Sequence, residues 1–328
     1  STVNELIPTK GSPKLSLESL FASRASLLDL KQLAPELPQS TNLTGFYHFY
    51  WILLSFFVSS TLFVNWFERG YLLQGTVKKL FFSDPFGVIA GEVFFLALAL
   101  LSGLSVFCGP GLKFARSFFP ASSFALGTLF GFYRKWSGLQ RSIFLLHSLS
   151  VFMKIHAFLH NHRGQCVPLS KLRQKMSHFM YFLFCPTMVY SENYPGTIKI
   201  RKSIVLERIL GILLCGISMY MVVEIYILPS IQRLVDLPFD AFEASFYLEI
   251  VYAYSKLLLP CSAFFLLGFF FVFEYWCNLF AELTCFADRQ FYTEWWNGAS
   301  FYDFSTRWNV PVHKFLQHYV YRHCIAEY

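Results

Sequence analysis

Long runs without charge decide what this chain can fold into. Phe46–Phe67 contains no Asp, Glu, Lys or Arg, and Phe86–Cys108 contains only Glu92. A hydrocarbon core about 30 Å thick is crossed by roughly 20 apolar residues wound as an α-helix. Ser142–His160 reaches that length around a single Lys154, and Ile204–Pro229 does so around Glu207, Arg208 and Glu224. Phe246–Trp276 is longer, with Pro260 placed to kink it. Ser117–Tyr133 is shorter and holds Pro120. Six spans are therefore expected, in an all-α, polytopic transmembrane helix bundle. His178–Tyr190 is apolar but short and broken by Pro186, so it is read as a re-entrant or interfacial segment. Three regions follow: a cytosolic tail over 1–45, the bundle over 46–276, and a cytosolic or interfacial segment over 277–328.

Composition closes off other classes. Hydrophobic residues make up 55% of the 328, charged residues 14% and aromatic residues 20%, including 40 Phe. Soluble domains carry roughly 25% charged residues, so this chain cannot cover a water-facing surface. A net charge of +7, spread over short loops, reports topology and not nucleic-acid binding. Eight Cys show no CxxC pair and no zinc spacing, and no metal site is expected. Ser1–Leu43 is polar and proline-rich and lacks the features of a signal peptide, so the first span is expected to serve as the signal.

The loops orient the spans. Asn161–Ser177 carries Arg163, Lys171, Arg173 and Lys175 without a carboxylate, which places it in the cytosol. Ile231–Ser245 sets Asp236, Asp240 and Glu243 against Arg233 and suits the lumen. Alternation from these anchors leaves both the tail and the stretch after Trp276 cytosolic.

Ionisable residues within spans are costly and mark candidate sites. Lys154 and His156 stand two apart and so lie on different helix faces; one is expected to line a cavity or both to anchor the cytosolic end. Glu207 and Arg208 are expected at the interface, and Glu92 as a buried polar contact. After Trp276 the pattern turns to aromatics mixed with charges. Leu279, Leu283 and Phe286 recur at helical spacing, which predicts an amphipathic helix lying on the bundle. Phe291, Tyr292, Trp295, Trp296 and Trp308 give an apolar surface with hydrogen-bonding tips. Such a surface fits the membrane interface or an amphipathic ligand with a polar head.

Specific motifs narrow this. Phe291-Tyr-Thr-Glu-Trp-Trp-Asn297 resembles the FYxDWWN signature of the membrane-bound O-acyltransferases that esterify sterols or diacylglycerol, with Glu294 in place of Asp. Trp308-Asn-Val-Pro-Val-His-Lys314 resembles the WNxPVHK element that follows it there. Phe182-Leu-Phe-Cys-Pro-Thr-Met-Val-Tyr190, with Asn193-Tyr-Pro195, is similar to that family's YFLFxPTxxYxxxYP segment. Arg24-Ala-Ser-Leu-Leu-Asp29, Met153-Lys-Ile-His-Ala-Phe158 and Phe286-Ala-Asp-Arg289 resemble motifs of the sterol branch, whereas Ile200-Arg-Lys202 and Leu259-Pro260 would suit the diacylglycerol branch. The balance favours sterol.

The resemblance implies that an acyl group passes from acyl-CoA, a co-substrate and not a bound cofactor, to a lipid hydroxyl in the endoplasmic reticulum membrane. Trp308 and Asn309 would then stand at the catalytic centre, and Phe291, Tyr292, Glu294, Trp295, Trp296 and Asn297 would shape the acyl-CoA entrance. His313 is expected to hold a structural hydrogen bond, with Lys154 and His156 as further candidates near the site. A homodimer or a dimer of dimers is implied as well. Such chemistry needs a His base and a polar donor. The family's base stands in an SAxxHE context absent from this sequence, and His313, His318 and His323 do not match it. The chain is thus expected to stop short of the helix that carries the base. The alternatives are a diacylglycerol acyltransferase or a catalytically silent form.

Overall fold

The computed structural model describes residues 44–73, 75, 83–105, 113–162, 168–237 and 244–322. Arg24–Asp29, Cys108, Arg163, Cys166, Asp240, Glu243, His323 and Cys324 lie outside the described residues.

Helices α1 (Thr44–Arg69), α2 (Pro85–Leu104), α3 (Lys113–Tyr133) and α4 (Gly138–Asn161) follow the apolar runs. Then come a short α5 (Leu172–Phe184), α6 (Lys202–Val222) and α7 (Ala244–Phe269), and finally α8 (Phe301–Arg307) and α9 (Val310–Leu316). Five of the helical stretches are long and apolar enough to cross a membrane; the helix around Pro120 is shorter, apolar over Phe118–Tyr133. The chain is an integral, all-α membrane protein. Helices α2, α3 and α4 pack on one another, and α5 lies against α2 and α4. A second group joins α1, α6 and α7. The segment after α7 touches both groups.

Prolines set the ends and the irregularities. The residue before a proline is pushed to extended backbone; Cys185 adopts ψ 133° ahead of Pro186, and α5 stops at Phe184. Phe158 stacks on Phe179 with ring centroids 4.2 Å apart, while Lys154 reaches Phe182. Helix α5 therefore runs back along α4, and the chain turns at Pro186 and continues through Tyr190–Arg201. Helix α6 passes through a π-helical stretch, Val223–Ile227, before Leu228–Val235, and this wider turn absorbs the carbonyl that Pro229 would strike.

Two expectations need correcting. No surface helix begins after Trp276: α7 runs on through a π-helical stretch, Phe270–Trp276, into Cys277–Leu283, so the boundary at 276 falls inside one continuous helix. The helical spacing of Leu279 and Leu283 is right, but nothing between Trp276 and Leu283 breaks the helix. It ends where Cys285 turns to φ +52°. Glu92 is not buried; it sits half-exposed, 3.0 Å from an equally exposed His147.

Candidate functional site

The π-helical stretch of α7 hands three consecutive buried side chains to different neighbours: Phe273, Glu274 and Tyr275. Tyr275 lies against Gly211 of α6, where an added Cβ would come within 2.3 Å of the ring, so only glycine permits this approach. Glu274 accepts from Arg208 at 2.7 Å through one carboxylate oxygen and from the Tyr292 hydroxyl at 2.9 Å through the other. Arg208 is 1% exposed, which corrects the interfacial placement expected from the sequence. It is drawn inward because Glu274 offers a buried counter-charge, while Glu207 remains partly exposed. Asn278 closes this corner by donating to the carbonyls of Phe273 and Glu274.

Below α7 a second buried charge cluster fixes the returning chain. Glu282, fully buried, accepts from the Arg201 backbone N–H at 2.7 Å, from the Arg201 guanidinium at 2.9 and 3.0 Å, and from the fully buried Arg289. The Tyr190–Arg201 segment is stitched alongside: Thr197 donates to the Cys285 carbonyl at 2.8 Å and Ala287 to that of Pro195 at 2.9 Å.

This frame holds the two tryptophan motifs together. Val310 N–H donates to the Phe291 carbonyl at 3.0 Å, and Thr293 N–H to that of Arg307 at 2.9 Å. Phe291 is buried with Phe269, Phe273 and Phe286. Tyr292 and Trp295 meet the Phe269 ring at 4.9 and 5.3 Å, and Trp308 stacks on Phe304 at 5.9 Å. Glu294, Trp296 and Asn297 face outward, with Asn297 donating to Glu294 at 3.3 Å. The Trp295 indole N–H is buried and has no hydrogen-bond partner among the described residues.

Asn309 is first a helix cap: its Oδ1 accepts the Val312 N–H at 3.2 Å, and Pro311 beside it needs no acceptor. Its Nδ2 makes no hydrogen bond to another described residue. His313, one turn on, is half-buried, and its ring donates to none of the described residues, so the structural hydrogen bond expected of it is not made there. Lys314 pairs with Asp288 at 3.1 Å, and His318 is exposed.

Lys154 and His156 part as their spacing requires. Lys154 is buried and donates to the carbonyls of Phe182, Leu183 and Cys185 at 2.9, 2.8 and 2.6 Å. It caps the C-terminal end of α5. His156 faces Phe315 and Tyr319 of the C-terminal helix at ring distances of 6.0 and 5.8 Å. An open apolar depression of about 490 Å³ between α5 and the end of α7 is lined by Tyr181, Phe184 and Phe280 among others, and by none of the nominated residues. The hydrogen-bonded motif loops carry the site better than this depression does.

Cys185 follows Phe184, which lines that depression, and is itself fully buried. Burial pushes its thiol up to about 12, outweighing the nearby Lys154 charge. The thiol is thereby held in its neutral form, whereas the thiolate is the form that reacts. Cys185 should remain unmodified after N-ethylmaleimide treatment of the folded protein, as read by peptide mass spectrometry. Rapid labelling under native conditions would show that this corner is open.

Arg208, Glu274, Glu282 and Arg289 were not nominated from the sequence. The usable signal was opposite charge on two spans: Arg208 in one, Glu274 in the other.

Residues 174–327 match the model of the membrane-bound O-acyltransferase family. Sterol O-acyltransferase 1 of Mus musculus is 28% identical over 92% of this chain and 58% of its own length. Sterol O-acyltransferase 2 of Homo sapiens is 29% identical over 94% and 60%. A Schizosaccharomyces pombe protein named probable sterol O-acyltransferase 2 is 26% identical over 86% and 70%. The chain thus spans less than two thirds of the mammalian relatives it matches.

Proposed function

We propose that this chain, whose residues 174–327 match the membrane-bound O-acyltransferase family model, is a member of that family and serves the transfer of a long-chain acyl group from coenzyme A to a sterol hydroxyl, at the cytosolic side of the endoplasmic reticulum membrane. The observation that carries this reading is the joining of the two motif loops through Phe291–Val310 and Thr293–Arg307, which sets a buried, unpartnered indole N–H and the Asn309 amide on one aromatic surface. In the transfer, the sterol oxygen attacks the thioester carbonyl carbon, its proton passes to a base, and the C–S bond breaks to release coenzyme A. Asn309 suits the donor role, because capping fixes its amide through Oδ1 and leaves Nδ2 to meet developing negative charge. Trp308 holds the cap in place against Phe273 and Phe304. Phe291, Tyr292, Trp295 and Trp296, with Glu294 and Asn297 outermost, form the acyl-CoA entrance. We assign the base to no histidine of the described residues. The names of the relatives favour sterol over diacylglycerol, and we propose that the working form is a homo-oligomer.

Membranes containing the intact protein should convert labelled oleoyl-CoA and sterol into steryl ester. Removing a fixed oxyanion donor costs roughly 10²–10³-fold in rate, and Asn309→Ala should lose activity on that scale. Undiminished ester synthesis by Asn309→Ala would remove the donor role. Ester formed only from diacylglycerol would move the acceptor to the other branch.

A further inference from the structure

The Tyr292 hydroxyl is spent before any ligand arrives. It donates to Glu274, and the other oxygen of that carboxylate is held by Arg208. Both Glu274 and Arg208 are 1% exposed, so this is a fixed internal mount and not a surface contact. The mount exists because α7 widens into a π-helix at Phe270–Trp276. The widening allows Phe273 to reach Trp308, Glu274 to reach Arg208 and Tyr292, and Tyr275 to reach Gly211, all from successive positions. Local π-helix inside a long α-helix is tolerated where the displaced side chains have work to do. Here the displaced carboxylate ties α6, α7 and the tryptophan loop at one point. From Tyr292 the chain runs directly into Thr293, hydrogen-bonded to Arg307, and into Trp295, whose ring rests on Phe269.

We propose that Glu274 is a positioning residue: through Tyr292 it sets the aromatic loop at the height and angle at which Trp295 and Trp296 receive the acyl-CoA. This rests on the reading of Phe291–Asn297 as the acyl-CoA entrance. Glu274 touches no reacting atom. Its carboxylate acts at one remove, and Arg208 keeps that carboxylate aimed.

The test uses the full chain in lipid nanodiscs and two probes, a non-hydrolysable thioether analogue of palmitoyl-CoA and a photoreactive sterol. Tyr292→Phe keeps the ring on Phe269 and leaves Arg208–Glu274 intact, so the fold should survive with only a modest fall in melting temperature from the lost hydrogen bond. Affinity for the analogue should fall roughly tenfold, the scale set by losing one hydrogen bond to a charged group, while sterol labelling stays unchanged. Glu274→Gln should weaken the analogue similarly, and the double variant should be no weaker than the poorer single variant, since both break one contact. Unaltered affinity in Tyr292→Phe overturns the proposal, even if Glu274→Gln fails to fold. Equal losses for analogue and sterol in Tyr292→Phe would reassign the contact to general stability and overturn it too. If the unsubstituted chain binds no analogue, the entrance reading itself fails, a result separate from any variant's behaviour.

Discussion

Glu282→Gln is expected to destabilise the protein by about 3–5 kcal/mol, the range for breaking a buried ion pair by removing one partner. Glutamine keeps the shape and can still accept from the Arg201 backbone N–H, so the loss isolates the charge. One carboxylate here serves two guanidiniums. Arg201 is 30% exposed and can turn toward water, but Arg289 is fully buried and cannot. The penalty is therefore that of a guanidinium left unneutralised in a dry corner. The corner also holds the start of α6, the end of α7 and the Phe286–Arg289 turn, so unfolding should spread to the Tyr190–Arg201 return. Melting temperature and monodisperse yield in detergent measure the effect. Replacing both partners, Glu282→Gln with Arg289→Met, should be milder than Glu282→Gln alone, because no charge is then stranded. A single variant that melts with the unsubstituted protein would show that water reaches Arg289 after all.

Hydropathy made the spans legible, since lipid demands length and apolarity from every crossing helix. Pro186 marked the end of α5 because a proline constrains the residue before it whatever the tertiary context. The buried polar frame was not legible in the same way. Arg208 meets Glu274 across 66 positions of sequence and Arg201 meets Glu282 across 81, and no local rule joins residues that far apart. Near a span's end, charge alone argued for the interface, and it misplaced Arg208 for that reason. The continuation of α7 past Trp276 was missed because the aromatic and charged pattern there imitates a surface helix. Both faces are instead consumed, Asn278, Ala281 and Glu282 inward and Leu283 outward. The tryptophan motifs themselves were found by resemblance. What the structure adds is their union, and the finding that Asn309 is already committed through Oδ1 to a helix cap.

Lys154→Met should cost about 2 kcal/mol or more, since it removes the donor shared by the buried carbonyls of Phe182 and Cys185 and the part-buried one of Leu183, at about 1–3 kcal/mol for each buried group left unsatisfied. The carbonyls of Phe182, Leu183 and Cys185 belong to the last turn of α5, where a helix has no partners of its own and carries partial negative charge. An ammonium suits this place because its three N–H bonds converge from one compact centre, whereas a guanidinium spreads its donors in a plane. Lys154→Arg is accordingly expected to recover only part of the loss. Methionine preserves the length and apolar stem, so packing against Phe182 survives and the missing cap is the main change. Helix α5 should then loosen at its end, and with it the turn at Pro186. Cys185 reports this directly: protected from maleimide in the unsubstituted protein, it should become labelled in Lys154→Met at temperatures where the rest of the bundle holds. A variant with unchanged melting temperature and a still-protected Cys185 would mean that the α5 carbonyls find other donors, and that Lys154 is dispensable to the turn.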